Sequence, residues 1–556
     1  MKQATETKRT TTKNRAIQRE SAQRNAWLFW AAACLVVAAA IRLVLLTQKV
    51  LHHDEGVNGL FITGLFRTGN YEYNPTNYHG PSLYYFALVT AKLNSLLYGK
   101  AGLSTFAIRL VPAIFGIGIV GLALLLRRWI GSFGAIATAL LLAVSPGMVF
   151  FSRYFIHEIP FMFFTFGLVL AVAEYDRTGR PLYLILAAAS AAFLFATKET
   201  CIITFAVLAL SDLCTRVYLV LRKNLGARLN TSSIDKRGNA RRKSRRSGHI
   251  PRHAKKEQAD AVPPESEAIH TAPWRNVPLF FAAAAVFIVI SVLLFSSFFT
   301  NFPKGVYDSV RTFATWTKTG TTQYLSGPFT YVKWLGNEEL AILTLGITGV
   351  ITALWQASSR FAIFSAFWSL GITAAYSLVP YKTPWLTLNL ILPLAIMSGY
   401  ALARCFEFGK SKSAFQAIAV LFLVGAIALG IYQAIDVSFY RYDDDTVAYS
   451  YAHTKRDFLN LVNEIESIAA DNHLGTDMGI TVVSPEHWPM YWYLRDYPKA
   501  GYWGQIVDTH EAVIIALEPQ ASEIERRFGA SYRRISAHDL RPGNKLVLFL
   551  RRDLNP

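Results

Sequence analysis

The sequence predicts a polytopic α-helical membrane protein of about eleven transmembrane helices, ending in a small α/β soluble domain. Three observations point there. Of 556 residues, 52% are hydrophobic and only 17% charged, with a mean hydropathy of +0.27, whereas a soluble domain averages about 25% charged residues. The apolar residues gather into repeated runs of roughly 18 or more, the length that spans a bilayer. The basic residues behind the net charge of +19 cluster in segments that flank those runs. That is the positive-inside pattern, which makes anionic lipid headgroups the expected neighbours and excludes nucleic acid as the partner.

Residues 1–25 are polar and basic and read as a disordered cytoplasmic tail. Residues 26–47 form the first span, with Arg42 near its outer end, where a long side chain can snorkel. The loop 48–105 follows outside. Its segments 56–67 and 82–97 are too short or too polar to span and are expected to lie at the interface. Further runs fall near 106–126, 133–151, 159–174, 182–197 and 200–221, completing a first membrane module over 26–221. Residues 222–275 are basic, poor in apolar residues and without periodicity, and read as a disordered cytoplasmic linker. A second membrane region, 276–436, carries runs near 276–299, 338–356, 361–379, 384–404 and 413–436. Counting spans and basic connectors together puts the amino end inside and residues 437–556 outside. In that last part, helices near 455–472 and 519–529 alternate with strands near 479–484, 512–517 and 545–552. Cys34, Cys201, Cys214 and Cys405 lie in or beside apolar runs without metal-ligand spacing.

The chemistry-bearing residues converge on the outer side. The loop holds His52, His53, Asp54, Glu55 and His79. A carboxylate at this boundary can act as a general base, and two adjacent carboxylates repel, so one of them should hold its proton tightly. The competing reading is that Asp54 and Glu55 only cap a helix start. His52, His53, Asp54 and His79 could also form a divalent-metal site for Mg or Mn, although no spacing here is diagnostic. Arg153, His157 and Glu158 sit in SRYFIHE, and an arginine at an outer helix end suits a lipid phosphate, snorkelling or pairing with Glu158 being the alternatives. Lys198 and Glu199 read as an ion pair at a helix end or part of a donor site. Lys382, in YKTPW, could meet a phosphate or be a plain boundary lysine. Isolated ionisable residues at a membrane boundary are costly to hold there, hence candidates for function. Tyr491, Trp492, Tyr493 and Trp503 could stack on sugar faces or be core. No P-loop, GxGxxG or GxSxG motif supports a nucleotide enzyme or a serine hydrolase.

The ordered set of an outer loop carrying Asp54-Glu55, the HGP turn at 79–81 before Leu83-Tyr84-Tyr85, SPGMVFFSRYFIHE (145–158), ATKET (196–200) and YKTPWLTLNLILP (381–393) resembles the GT-C superfamily of membrane glycosyltransferases. The nearest branch is the dolichyl-phosphate-mannose–protein mannosyltransferase-like and aminoarabinose-transferase-like group, and the motifs at 145–158, 196–200 and 381–393 further resemble a prokaryotic family described as flippase-activity-associated. HWPMYWYLRDY (487–497) resembles the latter as well. The resemblance implies a GT-C-like membrane fold and a polyprenyl-phosphate sugar as donor. It also implies a glycan, lipid or protein as acceptor. The catalytic acid falls on Asp54 with Glu55 beside it, and Arg153 and Lys382 are the positions that would meet the lipid phosphate. His53, His79, His157, Lys198 and Glu199 complete the expected substrate site. The turn departs from the family, reading HGP where a proline pair is usual. The alternative is a non-catalytic or transport component in the flipping of lipid-linked oligosaccharides, disfavoured by the scarcity of mid-span charges.

Overall fold

The computed structural model describes residues 2–77, 79–244, 277–319, 326–409 and 413–556. The membrane part contains α1 (Lys2–Leu43), α2 (His53–Thr68), α3 (Ser82–Tyr98), α4 (Thr105–Leu125), α5 (Arg127–Val144), α6 (Pro146–Ser152), α7 (Glu158–Thr178), α8 (Pro181–Thr197), α9 (Cys201–Ser244) and α10 (Val277–Phe295). It continues with α11 (Lys304–Thr319), α12 (Thr330–Glu338), α13 (Leu340–Gln356), α14 (Arg360–Leu378), α15 (Leu388–Phe408) and α16 (Ser413–Ile435). Among the described residues nine helices are long and apolar enough to cross a membrane, and α12 with α13, bent by 115°, makes a tenth. Helix α8, an apolar helix of 17 residues, is about 25 Å long at 1.5 Å per residue, at the short end of the roughly 17–25 residues that cross a bilayer, and with it the expected eleven are reached.

Helix α1 begins at Lys2, so the basic amino-terminal segment continues the first span as helix instead of forming a separate coil. Helix α9 likewise runs to Ser244, well into the segment expected to be a linker. Lys, Arg, Gln and Ala are good helix formers and no proline interrupts either stretch. The rest of that linker, 245–276, lies outside the described residues. Helix α15 is the buried axis of the bundle, packed by α5, α13, α14 and α16. A helix apolar all round has no face for solvent and goes to the centre. At the end of the bundle away from the 48–105 loop, Glu174 pairs with Arg128 and Arg177, and Arg360 reaches Asp176 at 3.3 Å and Asp212 at 3.2 Å. These pairs tie the ends of α5, α7, α9 and α14.

The C-terminal part holds α17 (Phe458–Asp471), β1 (Ile480–Val482), α18 (Met490–Tyr493), β2 (Ala500–Tyr502), β3 (Val513–Leu517), α19 (Ala521–Phe528), β4 (Tyr532–Arg541) and β5 (Asn544–Arg551). The sheet order is β2-β1-β3-β5-β4, parallel across β2-β1-β3 and antiparallel across β3-β5-β4. Phe458, Leu461 and Ile465 of α17 cover one face, together with Val50 from the outer loop, and Ile524 of α19 covers the other. Strands β2 and β4 were not expected. Both are edges, β2 has only three residues, and YRRISAHDLR in β4 is too polar to read as a strand.

Candidate active site

The site hangs on the first turn of α2. His52 is its N-cap: Asp54 N–H donates to His52 Nδ1 at 3.1 Å, and His52 N–H donates to Glu55 Oε2 at 3.1 Å, a reciprocal capping box. The imidazole Nδ1 is thus an acceptor and Nε2–H donates to Tyr451 O at 3.3 Å. Burial, then the neighbouring His53 and Arg541, hold this ring well below the usual histidine range, so it stays neutral.

Asp54 and Glu55, adjacent in sequence, have opposite fates. Glu55 is fully buried. Its Oε1 accepts from Arg109 Nε and from Phe155 N–H, both at 2.8 Å, and its Oε2 accepts from Arg109 Nη2 at 2.7 Å as well as from His52. Arg109, also buried, spends its remaining donors on the carbonyls of Leu46, Lys49 and Val50. Burial alone would raise the Glu55 carboxyl, but the charge and hydrogen bonds of Arg109 outweigh it and hold the group below the ordinary glutamate value. Glu55 therefore fastens the outer loop to α4, and no lone pair is left facing a substrate. Asp54 keeps 39% of its side chain exposed, and among the described residues no hydrogen bond reaches its carboxylate, His52 Nδ1 standing off at 4.0 Å. Burial and then the charge of Glu158 raise its proton affinity, offset in part by His79, Lys198 and Arg541, and the carboxyl is pushed up to about 6.

Those interactions mark what surrounds Asp54. On one side His79 Nδ1–H donates to Glu199 Oε2 at 3.0 Å, and Lys198 pairs with Glu158. Lys198 and Glu199 do not pair with each other, since the turn at the end of α8 aims them at different partners. His157, buried, donates Nε2–H to Gly80 O at 3.1 Å and packs its ring 4.9 Å from that of His79. On the other side stands the C-terminal domain. The ring of His53 lies 6.0 Å from Trp488. Burial and Arg541 lower this imidazole to about 4. Arg541, at the end of β4, is held by Glu486 Oε2 at 2.8 Å and by Trp488 O at 2.7 Å. Two glycines allow α2 to lie against this domain. A Cβ on Gly56 would sit 2.7 Å from Pro489 Cα, and one on Gly59 would sit 2.7 Å from the Trp492 ring.

The lone cations at the outer ends take helix-capping positions. Arg153 is buried and donates to the carbonyls of Ile41, Arg42, Val44 and Leu45, the C-terminal end of α1. Lys382 donates to the carbonyls of Tyr376, Ser377 and Val379 at the end of α14. Arg42 does not snorkel: it is buried and donates to Leu142 O at 3.0 Å and Ala143 O at 2.8 Å, the end of α5. Each neutralises carbonyls that a helix terminus leaves without an intrahelical partner. A phosphate at either Arg153 or Lys382 would have to displace those bonds, Arg153 Nε alone being buried without a partner among the described residues. The metal alternative also lacks a geometry: among the described residues, no three His, Cys, Asp or Glu side chains converge to hold an ion, and Asp54 and His79 acquire no third ligand.

Three residues at the site carried no expectation. Arg109 is visible in retrospect as a charge inside an apolar run. Arg541 lies some 490 residues away in sequence with no local motif. Asn58 accepts from Tyr84 Oη at 2.9 Å and donates to Phe155 O at 3.0 Å, joining α2, α3 and the 153–157 turn.

With the geometry in place, comparison with known proteins identifies the architecture. A family model described as dolichyl-phosphate-mannose-protein mannosyltransferase matches residues 79–234. No curated protein sequence matches. Among solved structures, ArnT from Cupriavidus metallidurans in the apo state superposes with a TM-score of 0.63 at 15% identity, covering 95% of this chain and 98% of that one. The same protein bound to undecaprenyl phosphate gives 0.60 at 16%, covering 93% and 98%. Arabinofuranosyltransferase AftD from Mycobacteria gives 0.45 at 12%, covering 93% of this chain and 40% of that one. The chain is a multi-pass membrane protein that shares the fold of ArnT over nearly its whole length, and the match to the mannosyltransferase family model is confined to residues 79–234.

Proposed function

We propose that the protein is a glycosyltransferase that takes a sugar from a polyprenyl-phosphate donor on the extracytoplasmic face, with Asp54 as the general base. One observation carries this: of the two adjacent acids on the outer loop, Asp54 alone keeps an uncommitted, half-exposed carboxylate, and its proton affinity lies close to neutral pH. Asp54 removes the proton of an acceptor hydroxyl. The acceptor oxygen bonds to the anomeric carbon, the bond from that carbon to the phosphate oxygen breaks, and polyprenyl phosphate leaves with the electron pair. A single displacement inverts the anomeric centre. The ion pairs His79–Glu199 and Lys198–Glu158 border the donor side of Asp54. The fold match to ArnT bound to undecaprenyl phosphate supports a polyprenyl-linked donor. The clustering of arginines at the opposite end of the bundle supports an outward-facing loop, with the amino end cytoplasmic.

The test is transfer of labelled sugar from a polyprenyl-phosphate donor in membranes carrying wild type or Asp54→Asn. Loss of about two to four orders of magnitude is expected for removal of a general base. Full transfer by Asp54→Asn refutes the assignment, and absence of transfer by wild type alongside a defect in lipid-linked oligosaccharide translocation favours the transport reading.

A further inference from the structure

Of the four aromatics singled out in the C-terminal domain, Trp503 is exposed and the other three divide into two sets. Trp492 is buried and donates Nε1–H to Thr105 Oγ1 at 3.1 Å, and Tyr493 Oη accepts Leu51 N–H at 3.0 Å. These two bind the domain to the membrane part. Tyr491 turns the other way. Its ring lies 5.0 Å from Tyr502 and 6.0 Å from Trp488. Trp488 lies 5.4 Å from His487, which lies 5.3 Å from Tyr502. With His53 beside Trp488, five half-exposed rings make a continuous wall from the first turn of α2 to the edge strand β2.

This wall is not purely apolar. Among the described residues Tyr502 Oη and Arg541 Nε are buried without a hydrogen-bond partner, although the other nitrogens of Arg541 hold Glu486 and Trp488. Buried polar atoms without partners are uncommon and call for an explanation. Aromatic faces rimmed by an arginine, a carboxylate and a hydroxyl suit a sugar ring, whose C–H face is apolar and whose edge is all donors and acceptors. The wall's position says which sugar. It starts at the residue before Asp54 and is carried by the C-terminal domain, whereas His79, Glu158 and Lys198 belong to the membrane part.

Building on the transferase reading, we infer that this wall is the acceptor subsite and that the acceptor is a carbohydrate, stacked on Trp488 and Tyr491 with one hydroxyl directed at Asp54. The base then stands between the donor, on the side of the paired lysine and histidine, and the acceptor, on the side of the C-terminal domain. The domain is thereby a working half of the site.

The test uses the full chain in lipid nanodiscs and a panel of neutral hexose di- to tetrasaccharides, with binding read by saturation-transfer NMR. Tyr491→Ala and Tyr502→Phe are the variants, because Trp488 also packs against Gly56 and its removal could unseat α2. At least one saccharide is expected to bind wild type. Tyr491→Ala should weaken it tenfold or more, and Tyr502→Phe, which removes one oxygen only, three- to tenfold, with thermal stability kept. In transfer assays the same variants should raise the acceptor KM, the loss being recovered at high acceptor concentration. No saccharide bound by wild type, equal binding by the variants, or a Ser/Thr peptide occupying the wall in place of saccharides overturns the inference. Binding is measured without turnover, so the two readings fail separately. Asp54-dependent transfer without saccharide binding sinks only this one, and saccharide binding with Asp54-independent transfer sinks only the assignment of the base.

Discussion

Glu55→Gln should cripple the fold of the outer loop, although it removes neither volume nor a residue that faces substrate. Each oxygen of Glu55 accepts two bonds: Oε1 from Arg109 Nε and Phe155 N–H, Oε2 from Arg109 Nη2 and His52 N–H. Whichever oxygen becomes the amide NH2, two donors then point at a donor, and the fully buried Arg109 loses its counter-charge. Removing one partner of a buried pair costs about 3–5 kcal/mol, which in a chain of this size lowers Tm by roughly 3–4 °C. Asp54→Asn, at the half-exposed neighbouring position, should move Tm by no more than about 1 °C, since surface changes stay within roughly 0.5 kcal/mol. The acid side gives a second readout. The folded state holds the Glu55 carboxyl below its ordinary value of 4.5. The stability it contributes is therefore fully present above about pH 4.5 and is lost as pH falls through the folded-state value. Wild type should destabilise steeply below that point, and Glu55→Gln, lacking the titrating group, less steeply. The assay is thermal unfolding of detergent-solubilised protein across pH 3.5–7. If Glu55→Gln keeps the wild-type Tm while losing transfer as completely as Asp54→Asn, Glu55 is a reacting group and the division of labour argued here is wrong.

The remaining predictions concern the base, the cations and the domain contact. With the Asp54 carboxyl pushed up to about 6, kcat/KM for transfer should fall about tenfold per pH unit below that value and level off above pH 7. A pH–rate profile flat between pH 5 and 7 would contradict Asp54 as the base. Lys382→Met, which strips three carbonyls of their donor, should cost about 1–3 kcal/mol of stability while donor KM stays within twofold, whereas Lys198→Met, beside Asp54, should raise donor KM. Steady-state kinetics on both variants would expose a reversed pattern. Gly59→Ala would place its Cβ 2.7 Å from Trp492 and, by overpacking, should cost about 1–3 kcal/mol. Faster hydrogen exchange in α2 and in 488–494 would report it, and unchanged exchange would contradict the tight contact.

The architecture was legible because its signals are long. Apolar runs of bilayer length and basic flanks survive ignorance of every contact, and most spans fall within a few residues of their expected places. The failures are local. Helix α8 reads as a span by composition and, at 17 residues, sits at the short end of the spanning range. Residues 338–356 carry α13 as expected, but the short helix α12 ahead of it, bent by 115° from α13, fell in what read as an outer connector. Strand β4 is polar because it is an edge, and alternation of charged with small residues carries no strand signal without knowledge of the neighbour it pairs with, here β5.

At the site, composition singled out one loop and left open what the charged residues around it do. A lone cation at the outer end of an apolar helix is what a phosphate site looks like, and also what a helix C-terminus looks like. Both need a donor among uncompensated oxygens, and residue spacing cannot tell a lipid oxygen from a carbonyl four residues away. Arg42, Arg153 and Lys382 all resolve to carbonyls. Among the described residues, cations that could still serve a substrate include Lys198 on Glu158 and Arg541 on Glu486, whose partners are side chains capable of exchange, and Lys49, whose Nζ is buried over the Phe150 and Tyr154 rings without a hydrogen-bond partner. Lys198 and Arg541 both act on Asp54 electrostatically, from segments more than 300 residues apart. The adjacent acids follow the same logic. Sequence makes Asp54 and Glu55 equivalent, and Arg109, hidden in the run that becomes α4, decides which is consumed by the fold and which keeps an unpaired carboxylate.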